Sequence, residues 1–274
     1  MNEFEYIKQH LLNRLEIDRG YSHGGAQRIL REQLNEWEKR KNGIKDLYGL
    51  YRQFLISAQN RQGMPNIIGG EKGVDEILEK VIKTRRLDKI VENFKSPEIL
   101  FEKIKKVSIT KKHTLKSSKN TWIGFCKSVI SSAEFLKQFK DLNDFRKFAD
   151  SLYKVRGARM ALPLIISAEV SGIGLALACD ILKESGYPDY VKPDIWIKRF
   201  AKAFEITKSN SDYRIAEDLV AYSKSINELP YVVDKAFWLT GSGDFYLSGD
   251  KIERVKKEDI ESFVEKYKKE KLTP

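Results

Sequence analysis

Residues 163–200 read PLIISAEVSGIGLALACDILKESGYPDYVKPDIWIKRF, and the rest of the chain is organised around them. A helix, a tight Val170-Ser171-Gly172-Ile173-Gly174 hairpin and a second helix come first, together spanning 163–186. A Lys192-Pro193-Asp194 tripeptide then opens a third helix. Leu164, Ile165 and Ala168 before the hairpin, and Leu175, Ala178, Ile181 and Leu182 after it, predict two helices packed on each other. Gly172 and Gly174 let the backbone turn sharply and approach another surface with no Cβ in the way. A turn of this kind feeding a helix N-terminus turns backbone N–H groups outward and makes an anion site. A Gly-x-Gly pair alone is an ordinary turn; its meaning here comes from what surrounds it.

At 274 residues and 31.7 kDa the chain is long enough to bury a full core and to hold one large or two small domains. Its net charge of +11 and pI near 9.3 favour a polyanionic partner, and the anion that suits the hairpin is a nucleic-acid phosphate. Cys126 and Cys179 stand in apolar helical contexts, too few for a disulfide framework or a four-cysteine cluster. His10, His23 and His113 are scattered, which argues against a metal hydrolase. No apolar run approaches the ~18 residues of a membrane span, and the acidic N-terminus is no signal peptide, so a reducing cytoplasm and no cofactor are expected.

The remaining periodicity is helical throughout, with no repeat and no strand pattern, and predicts an all-α chain. Helices are expected over 3–18 and 25–41, separated by a glycine-rich loop, and over 45–60, with Leu47, Leu50, Tyr51, Phe54, Leu55 and Ala58 facing a core. Charged helices follow over 74–106, then a basic loop over 105–119 that carries no acid. Helices at 120–139 and 142–153 lead to the hairpin. Beyond Asp194 come a helix to about Phe204, one over 211–226, a Val-Asp-Lys-Ala-Phe-Trp-Leu segment at 233–239, and a polar terminal helix over 251–270.

Gly172-Ile173-Gly174, Ala178 four residues on, and Asp194 about twenty residues on before a helix together resemble the helix-hairpin-helix, endonuclease III-like DNA glycosylase superfamily. The Leu55-Ile56-Ser57-Ala58-Gln59 helix end and the Val233-Asp234…Trp238-Leu239 segment carry the same resemblance, in the same order, across about 45–246. It implies two helical lobes. One is continuous, 45–187; the other joins 1–44 to 188–274, with a cleft between them for a base flipped out of duplex DNA.

The resemblance also implies roles. Ser171, Gly172 and Gly174 would grip a phosphate, with a monovalent cation on the carbonyls of Val170 and Gly172. Lys198 and Arg199 would add charge-assisted contacts. Gln59 and Asn60 would fill the vacated base stack. Asp194 would be catalytic, because cleaving an N-glycosidic bond develops positive charge on the sugar, which a carboxylate stabilises while orienting water. Lys192 is a candidate modulator of that carboxylate. Trp122, Phe125, Trp196, Trp238 and Tyr246 are candidates for the base pocket. Two departures matter. Relatives that cut the strand carry a Schiff-base lysine where this chain has Ala176, and many carry four cluster cysteines after the late helix, which are absent here. Lys183, two turns on, is expected to pair with Asp180 or Glu184. The function implied is a monofunctional, monomeric DNA glycosylase. A related nucleobase- or DNA-modifying enzyme on the same scaffold, and a non-catalytic DNA-binding protein, are the alternatives.

Overall fold

The computed structural model describes residues 1–60, 67–107, 119–155 and 157–272, with backbone alone at Lys41, Lys119, Asn120 and Leu272. Its chain divides into two compact units, Asn42–Ser185 and Met1–Lys41 with Gly186–Pro274. The expected division differs from this by a few residues at each boundary.

Helices α1 (Glu3–Arg19), α2 (His23–Leu34) and α3 (Glu36–Gly43) come first, and most of α3 belongs with the second half of the chain. Asn35 interrupts what the periodicity predicts as one helix. In the Asn42–Ser185 unit, α4 (Leu47–Gln59) is started by Asp46, whose carboxylate accepts from the Gly49 N–H at 2.7 Å. It is followed by α5 (Gly70–Ile77), which runs into a π-helical turn at Leu78–Ile82, then α6 (Leu87–Asn93) and α7 (Pro97–Val107). Next come α8 (Lys119–Leu136), α9 (Leu142–Tyr153), α10 (Ala161–Glu169) and α11 (Leu175–Glu184). The apolar helix α8 lies at the centre of this unit, packed on α4, α6 and α7. Tyr51, Phe54, Trp122, Phe125, Val129 and Phe145 are sealed in its core.

α10 and α11 pack on each other as the sequence predicts, but α10 is rotated from the expected phase. Leu162, Ile166 and Val170 point inward, a spacing of one residue per helical turn, while Leu164 and Ala168 face out. The error is instructive: α10 is apolar nearly all round, so periodicity alone does not fix which side is buried.

The other unit is built on α14 (Pro230–Ser242), which packs against α1, α2, α12 (Ile195–Ala203) and α13 (Asp212–Ser225). A short antiparallel ribbon, β1 (Asp244–Phe245) with β2 (Asp250–Lys251), and α15 (Ile260–Leu272) complete it. Among the described residues, this ribbon is where the chain departs from an all-helical reading. Phe200, Phe204, Phe237 and Phe263 form an aromatic knot in the core.

His10 lies against this knot, its ring edge-on to Phe263 at 4.9 Å. Burial, reinforced by Arg14 and Lys266 and only partly opposed by Asp18, pushes its pKa down to about 4. The unfolded chain binds a proton at His10 near pH 6.5 and the folded one does not, so stability is full above that pH and falls as pH drops toward 4. At most ~3 kcal/mol rides on this group. Urea unfolding between pH 7 and pH 4 is expected to show the loss, and His10→Phe to flatten it; parallel profiles for the two proteins would refute the assignment.

Candidate active site and nucleic-acid interface

The hairpin is a β-turn closed by the Ile173 N–H donating to the Val170 carbonyl at 3.0 Å, with Gly172 at φ +78° in its third position. That left-handed conformation is the reason for glycine there. Val170 and Ile173 are buried, which ties the turn down, while Ser171, Gly172 and Gly174 are exposed. The Ser171 carbonyl accepts from the Ser128 hydroxyl on α8 at 2.9 Å, fixing the turn to the core of its unit. Gly174 is the N-cap of α11, and no side chain caps that helix. Its first N–H groups are therefore offered outward, with the positive end of the helix dipole behind them. Gly174 itself has φ −83°, and a Cβ there would meet nothing within 4 Å. Its lack of a side chain is not demanded by the fold.

Behind the hairpin, Lys183 is buried on α11 with its Nζ 3.8 Å from Asp180 and 3.9 Å from Glu184, the pairing expected of it. Asp180 also accepts from the Asn60 amide at 3.2 Å. Asn60 is exposed at the end of α4. Gln59 is not: it is 2% exposed and turned into the protein, which corrects the expectation that both side chains are presented for filling a base stack. Arg61 and residues 108–118 of the basic loop lie outside the described residues.

Asp194 caps α12 in the other unit. Its Oδ1 accepts from the N–H groups of Trp196 at 2.9 Å and Ile197 at 3.2 Å. Oδ2 has no hydrogen-bond partner among the described residues, and the side chain is only partly buried. One carboxylate oxygen is thus engaged by the helix cap and the other is not. The segment before it is anchored by α14: the Lys192 N–H donates to Asp234 at 2.9 Å. The segment after it rests on the same helix, because Trp196 lies directly on Gly241, where a Cβ would come 2.3 Å from the indole. Only glycine permits that approach. Asp234 and Gly241 are support residues that sequence reasoning passed over, although both lie in or beside the Val-Asp…Trp-Leu segment.

The neighbouring basic residues are less available than expected. Lys198 pairs with Asp212 at 2.7 Å, and Arg199 donates to the Lys257 carbonyl at 3.1 Å while staying exposed. The pocket aromatics divide sharply. Trp122 and Phe125 have no accessible surface and belong to the core of Asn42–Ser185; a base cannot reach rings packed on all sides, so the expectation for these two is corrected. Trp196 and Trp238 are partly buried, and Tyr246 is 37% exposed.

A helical chain with an uncapped helix-hairpin-helix turn in one unit and a helix-capping aspartate in the other has the fold of the helix-hairpin-helix DNA glycosylases. Among solved structures it is similar to the 8-oxoguanine DNA glycosylase of Thermotoga maritima, with a TM-score of 0.52 and 16% identity over 92% of this chain and 100% of that one. It also matches the Methanocaldococcus jannaschii 8-oxoguanine glycosylase/lyase in complex with a 15mer DNA containing 8-oxoguanine, with a TM-score of 0.49 and 15% identity over 89% of this chain and all of that one. No family model matches the chain, and no curated protein sequence matches it. No helix among the described residues is long and apolar enough to cross a membrane.

Proposed function

We propose that the chain is a monofunctional DNA glycosylase, hydrolysing the N-glycosidic bond of a damaged, mispaired or modified base flipped from duplex DNA. The observation that carries this is Asp194, with Oδ1 fixed by two backbone donors and Oδ2 unengaged. A base inside a duplex is out of reach of any side chain, so it must be extruded first. The exposed hairpin N–H groups of the 163–186 motif hold the phosphates in this reading. A monovalent cation bound at the hairpin would be held by the carbonyls of Gly172 and of Val170, the latter already accepting from the Ile173 N–H, and would supply positive charge beside the phosphate. As the bond to the base breaks, positive charge grows on the sugar ring. The free oxygen of Asp194 stabilises that charge and directs a water onto it. With Ala176 in place of an amine, water is the nucleophile and an intact abasic site is the product. Lys192 contributes its backbone, through Asp234, more directly than its charge.

The test is incubation with duplexes carrying single lesions, followed by hot alkali. An 8-oxoguanine opposite cytosine comes first, since the Thermotoga maritima protein with this fold acts on 8-oxoguanine. Bound DNA with no excision from any lesion sinks the enzymatic reading and leaves a DNA-binding protein.

The grip has its own test. Gly174→Ala adds a methyl group where the fold has open space, so the variant is expected to fold as the wild type does. The methyl stands in front of the N–H groups that face phosphate. Affinity is expected to fall by roughly tenfold on all duplex sequences alike, with a shallower dependence on salt. Unchanged affinity and slope in the folded variant would remove the hairpin from the interface. Gly172 is a poorer probe, because any other residue strains its positive φ.

A further inference from the structure

Lys257 carries its charge differently from the ion-paired cations of its unit. Lys198 is neutralised by Asp212 at 2.7 Å, Lys224 by Asp189 at 3.5 Å, Arg14 by Glu253 at 2.5 Å and Arg19 by Asp250 at 2.9 Å. The Lys257 ammonium has no carboxylate within ion-pair distance among the described residues, although Glu258 and Asp259 follow it directly and are exposed. It stands over the ring of Trp196 instead, 5.8 Å from the centre. The Lys257 side chain is itself exposed.

The backbone that carries it is fixed on both sides. The Ile252 N–H donates to the Gly243 carbonyl and the Val255 N–H to the Thr240 carbonyl, each at 2.9 Å, and both side chains are buried. These bonds lay residues 252–255 along the end of α14. Arg199, on α12, then donates to the Lys257 carbonyl at 3.1 Å, and the Asp259 N–H closes a turn onto the Lys256 carbonyl at 3.0 Å. The guanidinium expected to meet DNA is thus engaged in holding Lys257 beside α12. Trp196, the ring under the ammonium, donates its own N–H to Asp194. A mobile charge is therefore set, from a fixed backbone, beside the first turn of the helix that Asp194 caps.

A cation on an exposed aromatic face keeps its full charge and is held weakly, so an incoming anion draws it off without breaking an ion pair. The ammonium is a compact point charge with three donors on a flexible stem, which suits a phosphate oxygen and reads no base. Every sugar in a strand has a phosphate on either side. A strand engaged at Asp194 brings such phosphates past the first turn of α12, where Lys257 stands.

We propose that Lys257 binds a backbone phosphate of the DNA strand whose sugar meets Asp194. This rests on the glycosylase reading for the placing of that strand.

The test uses the full chain and a duplex with a central tetrahydrofuran abasic residue. Lys257→Gln removes the charge and leaves the backbone bond from Arg199 in place. Affinity is expected to fall roughly fivefold at about 50 mM salt, with a log–log salt slope shallower by about 0.9, so that the difference closes as salt rises. Lys257→Arg should restore both. Lys208→Gln removes another exposed charge, beyond the C-terminal end of α12, and should leave both near wild type. The contact is located with duplexes in which single phosphates around the abasic residue are replaced by neutral methylphosphonates. One replacement should weaken the wild type and leave Lys257→Gln unaffected, because the pair it breaks is already gone in that variant. An unchanged slope in folded Lys257→Gln, equal losses in Lys257→Gln and Lys208→Gln, methylphosphonate effects that add to Lys257→Gln at every position, or no binding by the wild type would each overturn the proposal. Excision is scored separately. A wild type that shows this pattern but excises no lesion sinks the glycosylase reading alone; one that excises while Lys257→Gln keeps the wild-type slope sinks the phosphate contact alone.

Discussion

Replacing Asp194 by asparagine is expected to lower base excision by about 10³-fold or more, while fold and DNA affinity remain. The geometry makes this substitution unusually clean. Asparagine caps helices as well as aspartate does, and its carbonyl oxygen can accept the same two bonds from Trp196 and Ile197. What is lost is the negative charge on the unengaged oxygen. Without it the positive charge growing on the sugar has no counter-charge from this residue, and water has no base. Affinity for an abasic duplex is expected to hold or rise slightly, since one negative charge near the phosphates is gone. Asp194→Ala would remove the cap as well and cost about 1 kcal/mol of stability, which separates the two roles. Excision at the wild-type rate by Asp194→Asn would end the assignment.

The second large effect is a gain. The wild type is expected to leave abasic sites intact and to give no protein–DNA adduct with borohydride. Ala176 lies in the first turn of α11, just after the hairpin, and is partly exposed. Ala176→Lys puts an amine at the position from which the nucleophile springs in strand-cutting relatives. Held there, it competes with water for the sugar C1′, and adduct trapping is expected to rise by at least roughly tenfold over background. Efficient trapping by the wild type would mean that another lysine serves and that the monofunctional reading fails. Lys183 is poorly placed for that, being buried against Asp180 and Glu184. A folded, DNA-binding Ala176→Lys protein with no adduct would displace Ala176 from the register assigned to it.

Much of the fold was legible because local rules agreed with one another. Asp46, Asp141 and Asp194 sit before apolar-periodic runs, and each accepts from an N–H in the first turn of its helix. The hairpin was legible from its glycines. The failures come where local rules fall silent. α10 is too uniformly apolar to reveal its buried side, so Leu164 was assigned inward and lies out. Burial of Trp122 and Phe125 against exposure of Tyr246 depends on tertiary packing, and all three read alike as aromatics on helices or near their ends. Gln59 and Asn60 are adjacent, yet one turns into the core and the other out, a division set by the last turn of α4. The hydrogen bond from the Tyr246 hydroxyl to Glu36 joins residues 210 positions apart, and no local pattern announces such a pair.

The seating of Trp196 on Gly241 has an optical consequence. The chain holds four tryptophans, Trp37, Trp122, Trp196 and Trp238. Trp122 alone lies in Asn42–Ser185, and it is sealed from solvent, so its emission is expected to be blue and shielded from iodide. The red, quenchable part of the spectrum is expected from the unit that carries Asp194. Within it, Trp196 donates its backbone N–H to Asp194, and its indole lies 5.8 Å below the Lys257 ammonium. Trp196 is therefore a native fluorophore tied to the carboxylate it follows, and its emission is expected to report, without any label, a ligand that reaches Asp194.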